Sequence, residues 1–480
     1  MDVTFPDTPQ FKGWGEPLRA ETDVRDLELI HGAVPRELNG VLYRCGPDHQ
    51  YPPLSTEDVP IDGEGMVHRF HFIEGHVDYR SRWVRNERFL LQQRARRALF
   101  GRYRNPFTDD PDAAGRNRGT ANMNVVWHGK RLLALDQISL PVELDPVTLE
   151  VRGEWNGDGR VEARSLTARP KLDMRTNELH WYSCQAQGEG SLDFVFYTAD
   201  LNGRIVHHVW FEMPYAALVH DFAVTDHHVI VPFFPLITDP TVLKRGGPCC
   251  LWHPERHSHF AVFPRRGIAN SVRWFHGPAV SGTHVMNAFE DGSQIHVDLC
   301  LYQGNCYKFV PTYDGSPFEP STPRLTRVTL DLAGRHDGYE AHALAPMPLE
   351  MPVCDGRFMG KPYRFGFAVC RPTIPVPDAG LSAVACWDHA NGTLTMWDPG
   401  PNCSVHEPTL AVPPGAPEAE GYLLVLVNRL DAKRTDLAIL NARRLMDGPL
   451  AVFKLPLRMR STLHGMWVPV EALATGKYGA

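Results

Sequence analysis

Three histidines stand singly at the edges of apolar runs, far apart in the chain. His284 heads an apolar run in Gly282-Thr283-His284-Val285-Met286-Asn287-Ala288-Phe289-Glu290, just before the turn residues Asp291-Gly292. His220 opens an alternating run in Val219-His220-Asp221-Phe222, and His464 lies in Leu463-His464-Gly465-Met466-Trp467. A neutral imidazole offers one nitrogen lone pair. Imidazoles delivered singly suit iron, zinc, copper or nickel and leave positions open for substrate. The expectation is a three-histidine metal centre. The competing reading is three hydrogen-bonded core histidines, since the chain holds 23 histidines and no motif such as H-E-x-x-H fixes a ligand geometry.

Such residues meet only if the fold carries distant strand ends to one place. Glycine (40) and proline (41) cut the sequence into short strand-like runs, a pattern that favours an all-β barrel, sandwich or propeller. His68 to Phe72 and Val77 to Val84 flank Glu74-Gly75-His76 and predict a hairpin, with Val77, Tyr79, Ser81 and Trp83 on one face. Glu87 to Phe100 has a helical period, with Arg94, Arg96 and Arg97 on a solvated face. From Asn122 onward strand and turn alternate, including one long run from Phe222 to Phe234. No stretch reads as an interdomain linker, so residues 1–480 are expected to form one β-propeller domain with long loops. The repeats are too degenerate to count blades. In a propeller the innermost strands face one axis, which lets His220, His284 and His464 converge. Ligand histidines need acceptors behind them to fix their tautomers. Glu350 and Glu407 lie in apolar or proline-rich surroundings, and taken alone they read as exposed loop carboxylates.

Composition narrows the class. Hydrophobic residues at 43% and charged residues at 22% are ordinary for a soluble globular protein. A net charge of −7 argues against nucleic acid, which demands a cationic face. Ten cysteines are scattered without C-x-x-C spacing, and the adjacent Cys249-Cys250 pair suits neither structural zinc nor a usual disulfide. Reduced thiols in a cytoplasmic protein are expected. Met1 to Pro17 has no signal-peptide core, and no run approaches the roughly 20 apolar residues of a spanning helix.

Longer segments carry a resemblance. Asp62-Gly63-Glu64-Gly65-Met66-Val67-His68, His220-Asp221-Phe222, the His284 stretch and the His464 stretch resemble the signature segments of the carotenoid cleavage oxygenases. Ala98 to Asp110, Arg118-Gly119-Thr120-Ala121-Asn122 and Lys454-Leu455-Pro456-Leu457-Arg458 are most similar to the bacterial branch that cleaves lignostilbenes and isoeugenol. The resemblance implies a seven-bladed β-propeller, with short helices and long loops capping an axial Fe(II) held by four histidines, three of them backed by glutamates. It implies His220, His284 and His464 as ligands, Glu350 and Glu407 as acceptors behind histidines, and Tyr103 as the contact to a substrate phenol. The reaction it implies is O2-dependent cleavage of the alkene C=C bond of a small aromatic substrate, a phenolic stilbene or alkenylphenol, to aromatic aldehydes.

The sequence departs from that pattern around the same centre. Where the family has Thr-Ala-His-Pro-Lys, this protein has Thr167-Ala168-Arg169-Pro170-Lys171, and a guanidinium has no lone pair to give a metal. Gln137 stands at the position of a backing glutamate, Asp136 at that of a phenol-reading lysine, Met123 beside the O2 site, and Ser281 at that of a bulky pocket aromatic. Asp136 is a candidate phenol acceptor in place of the lysine. Two readings follow: an oxygenase with a three-histidine Fe(II), or a metal-poor ligand-binding or inactive paralogue with Arg169 in the cation's space. Phe100, Tyr103 and Phe107 are candidates for a membrane-facing patch, a tunnel cover or a homodimer contact.

Overall fold

The computed structural model describes residues 4–55, 59, 61–371 and 381–479. The short alternating runs fold into seven antiparallel sheets arranged as the blades of a propeller. Named from the axis outward, blade I runs from Gly465–Pro469 through Gly40–Asp48, Glu64–Ile73 and His76–Trp83 to Thr22–Val24. Blades II to VI are each built from four strands consecutive in their own sheet. Their innermost strands are Asn124–His128, Lys171–Asp173, Ala223–Val224, Ser281–Asp291 and Leu349–Cys354. Blade VII starts at Thr409–Ala411 and Cys403–Val405, which share Tyr422–Arg429 as neighbour, and ends on Glu28–Gly32. The ring is therefore clasped twice. A C-terminal strand is innermost in blade I, and an N-terminal strand is outermost in blade VII.

Side chains alternate across a strand, so each blade can pack against both neighbours. In blade I, Leu42, Phe70 and Phe72 join Leu424, Leu437 and Phe453 of blade VII. The alternate residues Val41, Tyr43 and Val67 join Val125, Trp127 and Leu132 of blade II. Every adjacent pair of blades shares such a core, and seven interfaces for seven blades close the ring without a gap.

The predicted hairpin forms, with Val77, Tyr79, Ser81 and Trp83 on the buried face. Glu74 and Gly75 have positive φ, as a tight two-residue turn requires. The helix is shorter than its period suggested. It spans Glu87–Ala95, capped by the Asn86 side chain and ended by Arg96 in the left-handed region; Arg94, Arg96 and Arg97 are exposed as expected, whereas Arg88 is buried. The run from Phe222 to Phe234 is two strands, Ala223–Val224 and His228–Phe233, broken at Asp226-His227. Phe100 and Tyr103 are buried and only Phe107 is exposed, so these three do not form a surface patch. The ten cysteines are free, and the Cys249 and Cys250 sulfurs are 3.8 Å apart. Among the described residues no helix is long and apolar enough to cross a membrane.

Burial pushes the imidazoles of His49, His68 and His406 from 6.5 down to about 3. Below pH 6.5 the unfolded protein takes up protons that the folded protein refuses, so acid favours unfolding. Each histidine costs about 1.4 kcal/mol per pH unit between 6.5 and 3. The urea midpoint should therefore fall clearly between pH 7.5 and pH 5.5. An unchanged midpoint would mean that these rings are protonated in the folded protein.

Candidate metal centre

The residues entering the innermost strands meet at the hub. Arg169 precedes Lys171–Asp173 of blade III, His220 precedes Ala223–Val224 of blade IV, His284 lies early in Ser281–Asp291 of blade V, and His464 immediately precedes Gly465–Pro469 of blade I. Arg169 thus enters from blade III much as the three histidines enter from blades IV, V and I. Glu350 comes from blade VI, Glu407 from the approach to blade VII, and Gln137 from the turn after Arg131–Leu135 in blade II.

The imidazoles of His220, His284 and His464 each bring a nitrogen within 4.8 Å of the others. Ligands about 2.1 Å from a tetrahedral ion lie about 3.4 Å apart, and the Nε2 atoms of His220 and His284 are 3.1 Å apart. Burial and neighbouring imidazoles keep the His220 pKa well below 6.5, and burial with Arg169 brings His464 to about 3. Both rings are therefore neutral and keep a lone pair, as a metal ligand must. The donor set fits a divalent first-row ion.

Glu350 and Glu407 are buried, which corrects their reading as exposed loop carboxylates. Glu350 Oε2 accepts from His284 Nδ1 at 2.6 Å, while Oε1 accepts from Tyr302 at 2.9 Å and from Thr283. Burial alone would raise its pKa, but His284 and Thr283 hold it low. Glu407 Oε1 lies 2.9 Å from His464 Nδ1, and its Oε2 accepts from Arg44 at 3.1 Å. Gln137 Nε2 is 3.0 Å from His220 Nδ1.

Arg169 is turned onto carboxylates. Its Nε donates to Asp221 Oδ2 at 3.4 Å and its Nη1 to Glu407 Oε1 at 3.3 Å, while Nη1 stands 2.7 Å from His464 Nδ1. Lys171 grips the other Asp221 oxygen at 2.7 Å. Burial works against ionisation of Asp221, yet Lys171 and Arg169 keep it far below the ordinary carboxylate range. A cavity of about 260 Å³ reaches this cluster, lined by Arg169, Lys171, Met286, Glu407 and Met466.

The side chains of the remaining candidates make no hydrogen bond to the three imidazoles that the structure shows. Asp136 Oδ1 accepts from the backbones of Ile138 and Ser139 and Oδ2 from that of Ala121, all at 2.8 Å, so this carboxylate staples two loops. Ser281 donates to the Gly304 carbonyl. Met123 acts through its backbone, whose carbonyl accepts from His464 N at 3.1 Å. Tyr103 packs with Leu218, Trp252 and Ile138 in an apolar loop cluster, and burial keeps its phenol protonated. Sequence reasoning gave no role to Arg44, Lys171, Asp221 or Tyr302. The visible signal was a charge inside an apolar run, as in Val41-Leu42-Tyr43-Arg44-Cys45.

The family model described as RPE65, retinal pigment epithelial membrane protein, matches residues 15–469. The protein belongs to the RPE65/carotenoid oxygenase family. Within it, the sequence is 40% identical over 472 residues to an isoeugenol monooxygenase of Pseudomonas nitroreducens, covering 96% of this protein and 98% of that one. It is 36% identical to lignostilbene-alpha,beta-dioxygenase isozyme III of Sphingomonas paucimobilis, covering 98% of this protein and 99% of that one. The crystal structure of Pseudomonas brassicacearum lignostilbene dioxygenase superposes with a TM-score of 0.94 at 39% identity, covering 98% of this protein and all of that one.

Proposed function

We propose that this family member is an Fe(II)-dependent oxygenase that cleaves the alkene C=C bond of a phenolic stilbene or alkenylphenol with O2, giving aromatic aldehyde products. The observation that carries the reading is the convergence of three imidazoles brought in by blades I, IV and V, whose nitrogens lie within 4.8 Å of one another. The isoeugenol and lignostilbene relatives support the substrate class.

His220, His284 and His464 would hold the ion, which when bound supplies the means of activating O2 toward an electron-rich alkene. Glu350 fixes the His284 ring by accepting at Nδ1, while His464 Nδ1 is held between Glu407 and the Arg169 guanidinium. Apolar loop side chains around Tyr103 exclude water and seat a flat aromatic ring. Tyr103 stays a neutral hydroxyl, able to donate to the para-oxygen of the substrate. Asp136, its oxygens taken by backbone N–H groups, shapes that loop.

One observation favours the alternative of a metal-poor binding protein: the Arg169 guanidinium, standing where the family pattern has a histidine, lies 2.7 Å from His464 Nδ1. The test is iron content after purification, then anaerobic loading with Fe(II) and an assay on isoeugenol and a hydroxystilbene. Iron near one per protein molecule with O2-dependent aldehyde is the expected result. No retained iron and no aldehyde would establish the binding-protein reading instead.

A further inference from the structure

Arg104 is a buried cation with only part of its guanidinium satisfied. The residue is 3% exposed, and its backbone is left-handed at φ 53°, a conformation that a residue other than glycine keeps only where its surroundings impose it. Nε donates to Glu189 Oε2 at 3.3 Å, whereas Nη1 is buried and meets no acceptor. A buried donor without an acceptor is costly and uncommon. Arg104 lines a cavity of about 570 Å³ set between the loops at 104–118, 138–140, 164–165 and 185–189. No residue lines both this cavity and the one at the hub.

Three more arginines face the same space. Arg116 and Arg118 are taken by Glu87 at 3.3 Å and Asp109 at 2.9 Å. Arg164 is exposed and pairs with no carboxylate of the described residues. A methyl group added to Gly188 would come within 3.3 Å of Arg164 Nη1, so this guanidinium stands beside the turn that carries Glu189. Four guanidinia against Glu87, Glu154 and Glu189 leave an excess of one positive charge. That excess suits a monoanion, because a phosphate dianion would be repelled by three carboxylates in the walls. Two coplanar carboxylate oxygens match the fork of a guanidinium, and Pro106, Ile138 and Leu140 offer an apolar wall to the remainder of an organic acid.

We propose that this cavity binds a small organic monocarboxylate, to which Arg104 Nη1 and the Arg164 guanidinium donate. The bound anion would tie the loop of Arg104 to that of Arg164. Ile138 both lines the cavity and packs against the Tyr103 cluster, so an occupied site braces that wall. The site needs no metal ion and no reaction at the hub, so it stands or falls separately from the oxygenase reading.

The experiment is calorimetric titration of the full-length protein at low ionic strength with benzoate, acetate and inorganic phosphate in turn. Both carboxylates should bind, and more tightly than phosphate. Arg164→Ala should weaken benzoate by about tenfold or more, the scale of a lost hydrogen bond to a charged group. Glu189→Gln removes the competing carboxylate and should tighten benzoate about two- to fivefold, as for a partly exposed charge pair. Arg104→Gln should abolish binding. Should that variant fail to fold, the other two still decide, since Arg164 is exposed and Gln keeps the shape of Glu. No binding of either carboxylate at millimolar concentrations would overturn the proposal, and so would phosphate binding more tightly than both. Benzoate binding that is the same in Arg164→Ala, Glu189→Gln and the parent would place the carboxylate elsewhere and overturn it as well.

Discussion

Replacing His284 with alanine is expected to strip the protein of iron while leaving the propeller folded. This ring is the middle member of the set, its centroid 4.9 Å from that of His220 and 5.1 Å from that of His464. It is also backed by a carboxylate, Glu350. The nearby Arg169 offers no nitrogen lone pair, so the loss leaves two imidazoles, too few for a stable site. Affinity should fall by more than the roughly 10- to 100-fold that follows loss of a group merely behind a ligand. Glu350 keeps Tyr302, Thr283 and the Met351 N–H, so the carboxylate is not stranded. Metal analysis after dialysis against a weak chelator, with thermal unfolding as the control, measures both halves. Iron near one per protein molecule in His284→Ala would refute the three-histidine centre.

The second large effect belongs to Arg169→His. In the absence of metal the variant should lose about 3 kcal/mol, the scale expected when a buried ion pair loses one partner. Its guanidinium is the shared partner of Asp221 and Glu407. Each carboxylate keeps one cation, Lys171 at 2.7 Å and Arg44 at 3.1 Å, which limits the damage. Once loaded, the variant should hold the ion at least about tenfold more tightly, because a fourth imidazole replaces a positive charge, and the stability should return by linkage. Denaturation with and without Zn(II) tests this directly. A variant as stable as the parent without metal and no more stable with it would mean that Arg169 neither pairs nor displaces.

Much of the fold was legible because alternation of apolar residues is a local signal, and the hairpin facing Val77 to Trp83 shows it. The helix end at Arg96 was not, because a left-handed residue outside glycine leaves little trace in sequence. Nor was the break at Asp226-His227, which separates two short apolar runs. At the site, single histidines beside apolar runs picked out the three rings that meet at the hub. What sequence could not give was direction: that Glu350 and Glu407 are buried, that Asp136 is spent on backbone N–H groups, and that Arg169 faces carboxylates. For the glutamates and Arg169 those outcomes depend on partners dozens to hundreds of positions away.

The double clasp of the ring has a consequence for how the cation's seat comes into being. Arg44 and Leu463 are 419 positions apart, yet Arg44 donates to the Leu463 carbonyl, and the strand after His464 zips onto Gly40–Asp48. An unfastened ring therefore presents only two of the three nitrogens. On the proposed three-histidine reading, loading must wait until the opposite ends of the sequence have docked, and any lesion that loosens this seam would register first as a leaking cofactor.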